Sequence, residues 1–226
     1  MNEYSLIFNK RNMNMPNHYD IQEYLDDYAN EVPDKEVKII NAAINAFSEK
    51  GFKSTTTSEI ASRAGIAEGT IFRYFPTKDA ILEKMVPLMI KVMMPKVEKP
   101  IRDMIKNTDG LGAAFTFKTI IFDRLMLMKG NQKFLLSVLP ELIYRPALFQ
   151  KLQQSIFPKI RMYIGSVVDA AIQRGEMHAD TEIDMIMYQI IGFIFSYSVL
   201  HGLEDEAQVK QDIDNFIETS MKGWRA

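Results

Sequence analysis

The sequence predicts an all-α protein that consists of a small N-terminal domain and a larger C-terminal helical bundle. Apolar residues recur every three or four positions along most of the 226 residues, and the strict alternation typical of strands is nearly absent. Glycine and proline divide this pattern into short segments before residue 80 and longer segments after it. We therefore distinguish an extension at 1–33, a three-helix domain at 34–80 and a bundle at 81–226.

The composition is that of an ordinary soluble protein. Hydrophobic residues make up 47% of the chain and charged residues 25%, and the net charge is −2. The chain contains no cysteine, which excludes disulfides and thiol catalysis and is compatible with the cytoplasmic location that we expect. The most apolar stretch, 183–203, is interrupted by polar side chains, so we expect no membrane span.

The extension at 1–33 is acidic, with two basic and six acidic residues. Ile21, Leu25 and Tyr28 follow helical spacing, so a short amphipathic helix can form here. A partly disordered tail, or a translation start at Met13 or Met15, is the simpler interpretation of the same residues.

The first helix of the three-helix domain is expected from Asp34 to Lys50. Gly51 suits the position after the helix because glycine adopts positive φ without strain, and Phe52 then returns the chain to the core. The side chains that share the buried face of this helix are Val37, Ile40, Ile44 and Phe47.

A second and a third helix follow at short spacing. The Thr56 hydroxyl can accept from the backbone N–H of Glu59 while the Glu59 carboxylate reaches back to the Thr56 N–H, which forms a capping box. Gly65 ends this helix, and the next one runs from Glu68 to Phe75 because the following proline cannot continue it. Two short helices around a glycine turn form a helix-turn-helix, whose second helix enters the major groove of DNA.

Residues 51–82 carry a more specific pattern. It consists of Gly51-Phe52, Thr55-Thr56, Ile60-Ala61, the run from Ala64 to Phe75, Lys78 and Leu82. This pattern resembles the N-terminal domain of the TetR family of bacterial transcriptional regulators, and the rest of the chain is similar to the family in length and helicity. The resemblance implies a homodimer that binds a palindromic double-stranded DNA operator and responds to a small-molecule effector.

The resemblance and side-chain chemistry together give the candidate DNA contacts. The resemblance supports phosphate roles for Thr56, Tyr74 and Lys78. Gly69 lets the backbone approach DNA closely. The candidates for contacts with base edges are Ala67, Thr70, Phe72 and Arg73, of which the arginine can pair with guanine.

Two positions depart from the family pattern. Ala67 replaces a frequent serine, so the third helix lacks a side-chain cap. Glu68 replaces a frequent lysine; its carboxylate complements a helix N-terminus but repels phosphate, and it can also accept from a cytosine amino group. On the opposite side of this helix, Ile71 and Phe75 are expected to face the core.

Residues 81–226 are expected to bind the effector. Helix breaks are expected at Pro95, 107–110, 130–131, Pro140 and Pro146. The many methionine and aromatic side chains favour an apolar or aromatic effector, although core filling explains each of them singly. The candidate ligand contacts are Met104, Phe115, Phe122, Met126, Phe134, Met162 and Tyr163.

The dimer interface is expected on helices 181–202 and 206–222. The first of these is apolar around most of its circumference, so it must be covered on several sides. The candidate interface residues are Ile186, Ile190, Phe193, Ile194, Tyr197 and Phe216.

Motifs for catalysis and for cofactor binding are missing from the sequence. It contains no GxSxG and no phosphate-binding glycine loop, and His18, His178 and His201 lack metal-ligand spacing. We therefore predict no enzyme, cofactor or metal site. The resemblance to the TetR family implies a repressor that its effector releases from DNA. The alternatives are an activator, a ligand-independent DNA-binding or interaction protein and, less favoured, an enzyme with a helical binding domain.

Overall fold

The computed structural model describes residues 33–201 and 203–224. At positions 88, 89 and 91–97 it describes the backbone only. All regular secondary structure in these residues is helical, which confirms the predicted fold class. The helix proposed around Ile21 to Tyr28 lies outside the described residues. The described helices are α1 Asp34–Lys50, α2 Thr57–Ala64, α3 Glu68–Tyr74, α4 Lys78–Thr108, α5 Ala113–Ile143, α6 Pro146–Gln173, α7 Ile183–Leu200 and α8 Glu206–Trp224.

The described residues pack as two compact units. The head unit comprises 33–96 together with Asn131–Ile156, and the C-terminal unit comprises Val97–Gly130 together with 157–224. These units do not coincide with the expected division at residue 80, because the head unit includes the first part of α4 and the α5–α6 connection. The head core is completed there by Ile81, Leu82, Met85, Phe134, Val138 and Leu142.

Three expected helix breaks were wrong. Helix α4 continues through Pro95, and α5 continues through 130–131 and Pro140. A proline inside a helix costs about 3 kcal/mol, because it removes a hydrogen bond and its ring meets the preceding turn. Each half of α5 is anchored by buried side chains, Leu125 in the C-terminal unit and Phe134 in the head unit, and this burial offsets the local cost.

The core of the head unit follows the sequence pattern. The predicted inner face of α1 is buried throughout, and Phe52 packs its ring 5.0 Å from that of Phe47. Helices α2 and α3 contribute Ile60 and Ile71, which are both fully buried. Helix α2 packs on α1 and α3 packs on α2, and the opposite faces of the two short helices are exposed.

Helix α7 belongs to the C-terminal unit and is apolar on two sides. By length and composition alone it could cross a membrane. One side, however, is buried in the core of this unit with residues of α8 such as Ile213 and Ile217. The other side exposes a stripe at helical spacing, which we call the outer stripe: Met185, Tyr188, Phe195 and Val199.

Candidate nucleic-acid interface

Helix α2 begins where the sequence predicts. Thr56 has an extended backbone, with φ −106° and ψ 157°, and its Oγ1 accepts from the backbone N–H of Glu59 at 3.1 Å. Thr56 is exposed, so the N-terminus of α2 faces solvent. Free backbone N–H groups at a helix N-terminus can bind a phosphate.

The second half of the expected capping box was wrong. The carboxylate of Glu59 does not turn back to Thr56; its Oε1 is bound by Arg63 at 2.8 Å and by Lys50 at 2.9 Å. Two cations outcompete one backbone N–H for this oxygen, and they hold the pKa of Glu59 below its ordinary value. The carboxylate thus links the second helix to the end of the first.

The turn between α2 and α3 is a left-handed glycine turn. Gly65 has φ 66° and ψ 35°, and its N–H donates to carbonyls in the last turn of α2. Ile66 then packs against the head core, and α3 starts at Glu68 without a side-chain cap from Ala67, as predicted. This turn fixes the direction in which α3 leaves α2.

Helix α3 has one buried and one exposed face. Ile71 and Phe75 are buried, which confirms the expected inner face, and Tyr74 packs partly against the same core. Phe72 is 48% exposed, a large fraction for an apolar residue. Of the other candidates, Thr70 is half-buried and the exposed ones are Ala67, Glu68, Gly69 and Arg73.

Within residues 33–201 and 203–224, no carboxylate pairs with Arg73. Glu68, in contrast, is engaged: its Oε1 accepts from the hydroxyl of Thr57 at 2.9 Å. This bond joins the first turns of α2 and α3 across eleven positions, and no local sequence signal indicates it. A contact between Glu68 and a base stays a prediction, and Thr57 enters the site as its partner.

Lys78 has an unexpected set of partners. Its ammonium group donates to the carbonyl oxygens of Phe52 at 2.6 Å, Lys53 at 3.2 Å and Thr55 at 2.7 Å. Burial lowers the pKa of Lys78 below its ordinary value. The ammonium carries three N–H donors, so a direct phosphate contact requires it to exchange one of these bonds, and that role stays a prediction.

The candidate ligand contacts fall into three groups. Met104, Phe122 and Tyr163 are buried and Phe115 and Met126 are half-buried, all five within the C-terminal unit. Phe134 belongs to the head core, and its assignment to an effector pocket stays a prediction. Met162 is 58% exposed on α6, because its position on the helix points away from the core that Ile164 enters.

Three of the candidate dimer residues face inward. Ile186, Ile190 and Tyr197 are buried within the core of their own C-terminal unit. Tyr197 also donates its hydroxyl to Asp212 at 2.7 Å, and burial together with this bond raises its pKa to about 12. The remaining candidates are half-buried: Phe193, Ile194 and Phe216, with the two phenyl rings stacked at 4.2 Å.

The described part of the chain contains no group of three His, Asp or Glu side chains that could hold a metal ion. The candidate site lies around α2 and α3. Their turn, their capped helix start and the exposed face of α3 are the features that a DNA-reading helix-turn-helix requires.

Comparison with known proteins gives concordant matches. The profile of bacterial regulatory proteins of the TetR family matches residues 39–85. The chain is similar to the fatty acid metabolism regulator protein of Bacillus subtilis, with 25% identity over 163 residues that cover 71% of this chain and 79% of the relative. These matched proteins are transcriptional regulators rather than enzymes.

Two solved structures share the fold. A candidate TetR-family regulator from Mesorhizobium loti has a TM-score of 0.64 at 16% identity, with 85% of this chain and 97% of that one covered. The regulator FadR from Bacillus subtilis, solved in complex with stearoyl-CoA, has a TM-score of 0.53 at 23% identity, with 82% and 95% covered. The helix-turn-helix geometry and these matches show that residues 39–85 form a DNA-binding domain of the TetR type and that the chain is similar to DNA-binding transcriptional regulators.

Proposed function

We propose that the chain is a homodimeric repressor that binds a palindromic operator and leaves it when an apolar effector binds. The observation that carries the DNA-binding part is the exposed face of α3. On this face no carboxylate of the described residues pairs with Arg73, and Phe72 is exposed beside it. An arginine reads guanine through two hydrogen bonds, and an aromatic ring can contact a thymine methyl group. Gly69, on the first turn of α3, allows the backbone to come close to the groove.

Phosphate contacts set the position of α3 in the groove. Thr56 supplies the exposed N-terminus of α2, and Tyr74 supplies a hydroxyl at the end of α3. Contacts of this kind fix the register of a protein on the duplex but carry no sequence information. Specificity in this proposal therefore depends on Arg73, Phe72 and their neighbours on α3.

The dimer forms through the outer stripe of α7. An exposed row of large apolar side chains on one helix face is unusual for a monomer and is typical of an interface. A two-fold dimer holds two recognition helices about 34–36 Å apart, which matches successive turns of the major groove. The stripe replaces the buried residues Ile186, Ile190 and Tyr197 as the proposed contact surface.

The effector is proposed to carry a long acyl chain. Its support is the curated relative, a fatty acid metabolism regulator, together with the stearoyl-CoA complex of a protein with the same fold. Phe115, Phe122 and Met126 on α5 supply the apolar lining that an acyl chain needs. Helix α4 contributes to both units, so a displacement of its C-terminal part by the effector passes along one helix to Lys78.

Selection from a genomic fragment library tests the DNA-binding proposal. The wild-type protein is expected to enrich a palindrome, and Arg73→Ala is expected to bind it about 10- to 100-fold more weakly in each half-site. Lys151→Gln, which removes one exposed positive charge on α6, is the matched control. Enrichment of the same palindrome with equal affinity by Arg73→Ala would contradict the assignment of α3 as the reading helix.

Titration of the protein–operator complex with acyl-CoA thioesters tests the repressor proposal. Stearoyl-CoA is expected to weaken operator binding about 5- to 150-fold, the usual range of allosteric coupling. Acetyl-CoA, with the same head group and no long chain, is the control and is expected to have no effect. Binding of stearoyl-CoA without a change in operator affinity would rule out release by this class of effector.

A further inference from the structure

The ring of Phe52 contacts two cations that come from different parts of the head unit. The Nζ atom of Lys78, at the start of α4, is 4.5 Å from the ring centroid. The guanidinium carbon of Arg145, in the short connection between α5 and α6, is 5.1 Å from the same centroid. Phe52 is buried, so these cation–π contacts are at least partly shielded from water and stronger than exposed ones.

Arg145 is held by two carboxylates as well as by the ring. It pairs with Asp79 on the first turn of α4, and its Nη1 donates to the Glu141 carboxylate at 2.9 Å and to the Glu141 carbonyl at 2.7 Å. Burial lowers the pKa of Arg145, but the bonds to Asp79 and Glu141 outweigh burial and raise it overall. The guanidinium is thus permanently charged and oriented, and it joins the end of α5 to the start of α4.

Phe52 belongs to the loop that sets the start of α2. Lys78 binds three carbonyl groups of this loop, and the buried hydroxyl of Thr55 donates to the carbonyls of Gly51 at 2.9 Å and Ala46 at 3.2 Å. Thr56, the next residue, is the N-cap of α2 and part of the proposed phosphate-binding site. The position of this phosphate-binding site therefore depends on the residues that hold Phe52 and Lys78 in place.

We propose that Arg145 is a positioning residue for DNA binding: by stacking on Phe52 and pairing with Asp79, it holds the loop 51–56 so that the N-terminus of α2 is presented to a phosphate. Arg145 acts through Phe52 and Lys78 and makes no DNA contact of its own. This inference rests on the proposed function, because it assigns Arg145 a role in the same operator binding. It also makes the α5–α6 connection a point through which those helices influence the DNA-binding surface.

Operator affinity and its dependence on salt separate positioning from direct contact. We would measure the binding of the full chain to the selected palindrome between 50 and 200 mM salt, for wild type, Arg145→Gln and the charge-matched control Lys151→Gln. Arg145→Gln is expected to bind roughly tenfold more weakly, as the loss of one shielded cation–π contact predicts. The slope of log affinity against log salt is expected to stay that of wild type, because no phosphate contact is lost. Lys151→Gln is expected to retain wild-type affinity.

A double-mutant cycle with Phe52→Leu tests the proposed route. If Arg145 acts through the ring, Arg145→Gln has little further effect in the Phe52→Leu background, and the two changes are not additive. The concentration of binding-competent protein is titrated for every variant, so that partial unfolding is not counted as lost affinity.

Several results would overturn the inference while leaving the proposed function intact. Wild-type affinity of the competent fraction of Arg145→Gln would show that the stack is only structural. A salt slope reduced by about one per half-site would show a direct phosphate contact. Full additivity with Phe52→Leu would show that Arg145 acts by another route. Failure of the wild-type protein to bind any palindrome is a different result, which refutes the proposed function itself.

Discussion

The head unit and the C-terminal unit place their important side chains by different means. In the head unit, the residues that set the DNA-binding surface are fixed mainly by partners close in sequence, such as the Thr56 cap and the turn at Gly65. In the C-terminal unit, the roles of residues depend on which face of a long apolar helix is covered, as on α7, where Ile190 is buried and Phe195 is exposed. Local chemistry determines the helix starts and turns of the first surface, and tertiary packing determines which residues form the second.

A charge on the outer stripe is expected to have the largest effect. Phe195→Glu places a carboxylate where the proposed dimer excludes water, and an unpaired buried charge is costly. We expect a folded monomer by sedimentation at concentrations at which wild type is a dimer. Because two linked reading heads gain about 10²- to 10⁴-fold in avidity, operator affinity is expected to fall by a similar factor.

The matched control for this change is Gln211→Glu, which adds the same charge to the exposed polar face of α8. It is expected to remain dimeric and to bind the operator as wild type does. A dimer that survives Phe195→Glu would place the interface elsewhere and would remove the contrast between the two faces of α7.

The buried face of α7 is expected to govern stability instead. Ile190→Ala removes a buried side chain from the C-terminal core and is expected to lower the free energy of unfolding by about 2–4 kcal/mol. Met185→Ala, on the outer stripe, is expected to change it by less than about 0.5 kcal/mol. Both values come from urea titration in the Phe195→Glu background, so that dimer dissociation does not contribute. Equal losses of unfolding free energy for Ile190→Ala and Met185→Ala would mean that the two faces of α7 contribute alike to stability.

The same contrast explains how much of the molecule could be predicted from the sequence. Around α2 and α3, turn glycines, a cap and helical spacing place Gly65, Thr56, Ile71 and Phe75 correctly, because each of these effects acts within a few residues. On α7, apolar side chains surround the helix, so periodicity cannot tell the core face from the outer face. The partners of Glu68 and Lys78 are eleven or more positions away, and no local signal identifies them.

The helix breaks that were predicted wrongly also show the effect of tertiary packing. Proline and glycine were expected to end helices near Pro95 and Gly130, yet α4 and α5 continue through both. The boundaries between the two compact units fall at 96–97, 130–131 and 156–157, next to Pro95, Gly130 and Pro158. In this chain the helix-breaking residues mark where a helix changes its packing partners, and burial on both sides keeps the helix intact.

Two glycines of the head unit provide a smaller and more local test. Gly65→Ala keeps the space around the new Cβ open but puts alanine at φ 66°, so we expect a loss of about 1 kcal/mol in unfolding free energy. Gly69→Ala also has open space, at a helical position, so we expect a gain of about 0.5–1 kcal/mol. Operator affinity of Gly69→Ala is nevertheless expected to fall, because its Cβ obstructs close approach to DNA. A stabilised Gly69→Ala variant with wild-type affinity would contradict the proposed approach of α3.

The smallest expected effect concerns a long-range cap in the C-terminal unit. The Glu176 carboxylate accepts from the backbone N–H of Ala113 at 2.7 Å, at the start of α5, and pairs with Arg174. The Arg174 hydrogen bond, aided by the Ala113 amide and opposed by burial, lowers the pKa of Glu176 below its ordinary value of 4.5. A lowered pKa in the folded state means that the carboxylate stabilises the fold above pH 4.5 and that this contribution is lost as the pH falls through the folded-state pKa.

Glu176→Gln keeps an oxygen for the Ala113 N–H but removes the charge that Arg174 binds. We expect it to lower the unfolding free energy by about 0.5–1 kcal/mol at pH 7. As the pH falls through the folded-state pKa, which lies below 4.5, the wild-type carboxyl becomes protonated and resembles glutamine, so the difference between the two proteins is expected to shrink. Urea titrations at pH 7, 5 and 3.5 measure this difference, with the exposed Glu182→Gln as the control. A difference that is as large at pH 3.5 as at pH 7 would mean that the side chain contributes by shape rather than by charge, since protonation leaves its shape unchanged and removes only the ion pair.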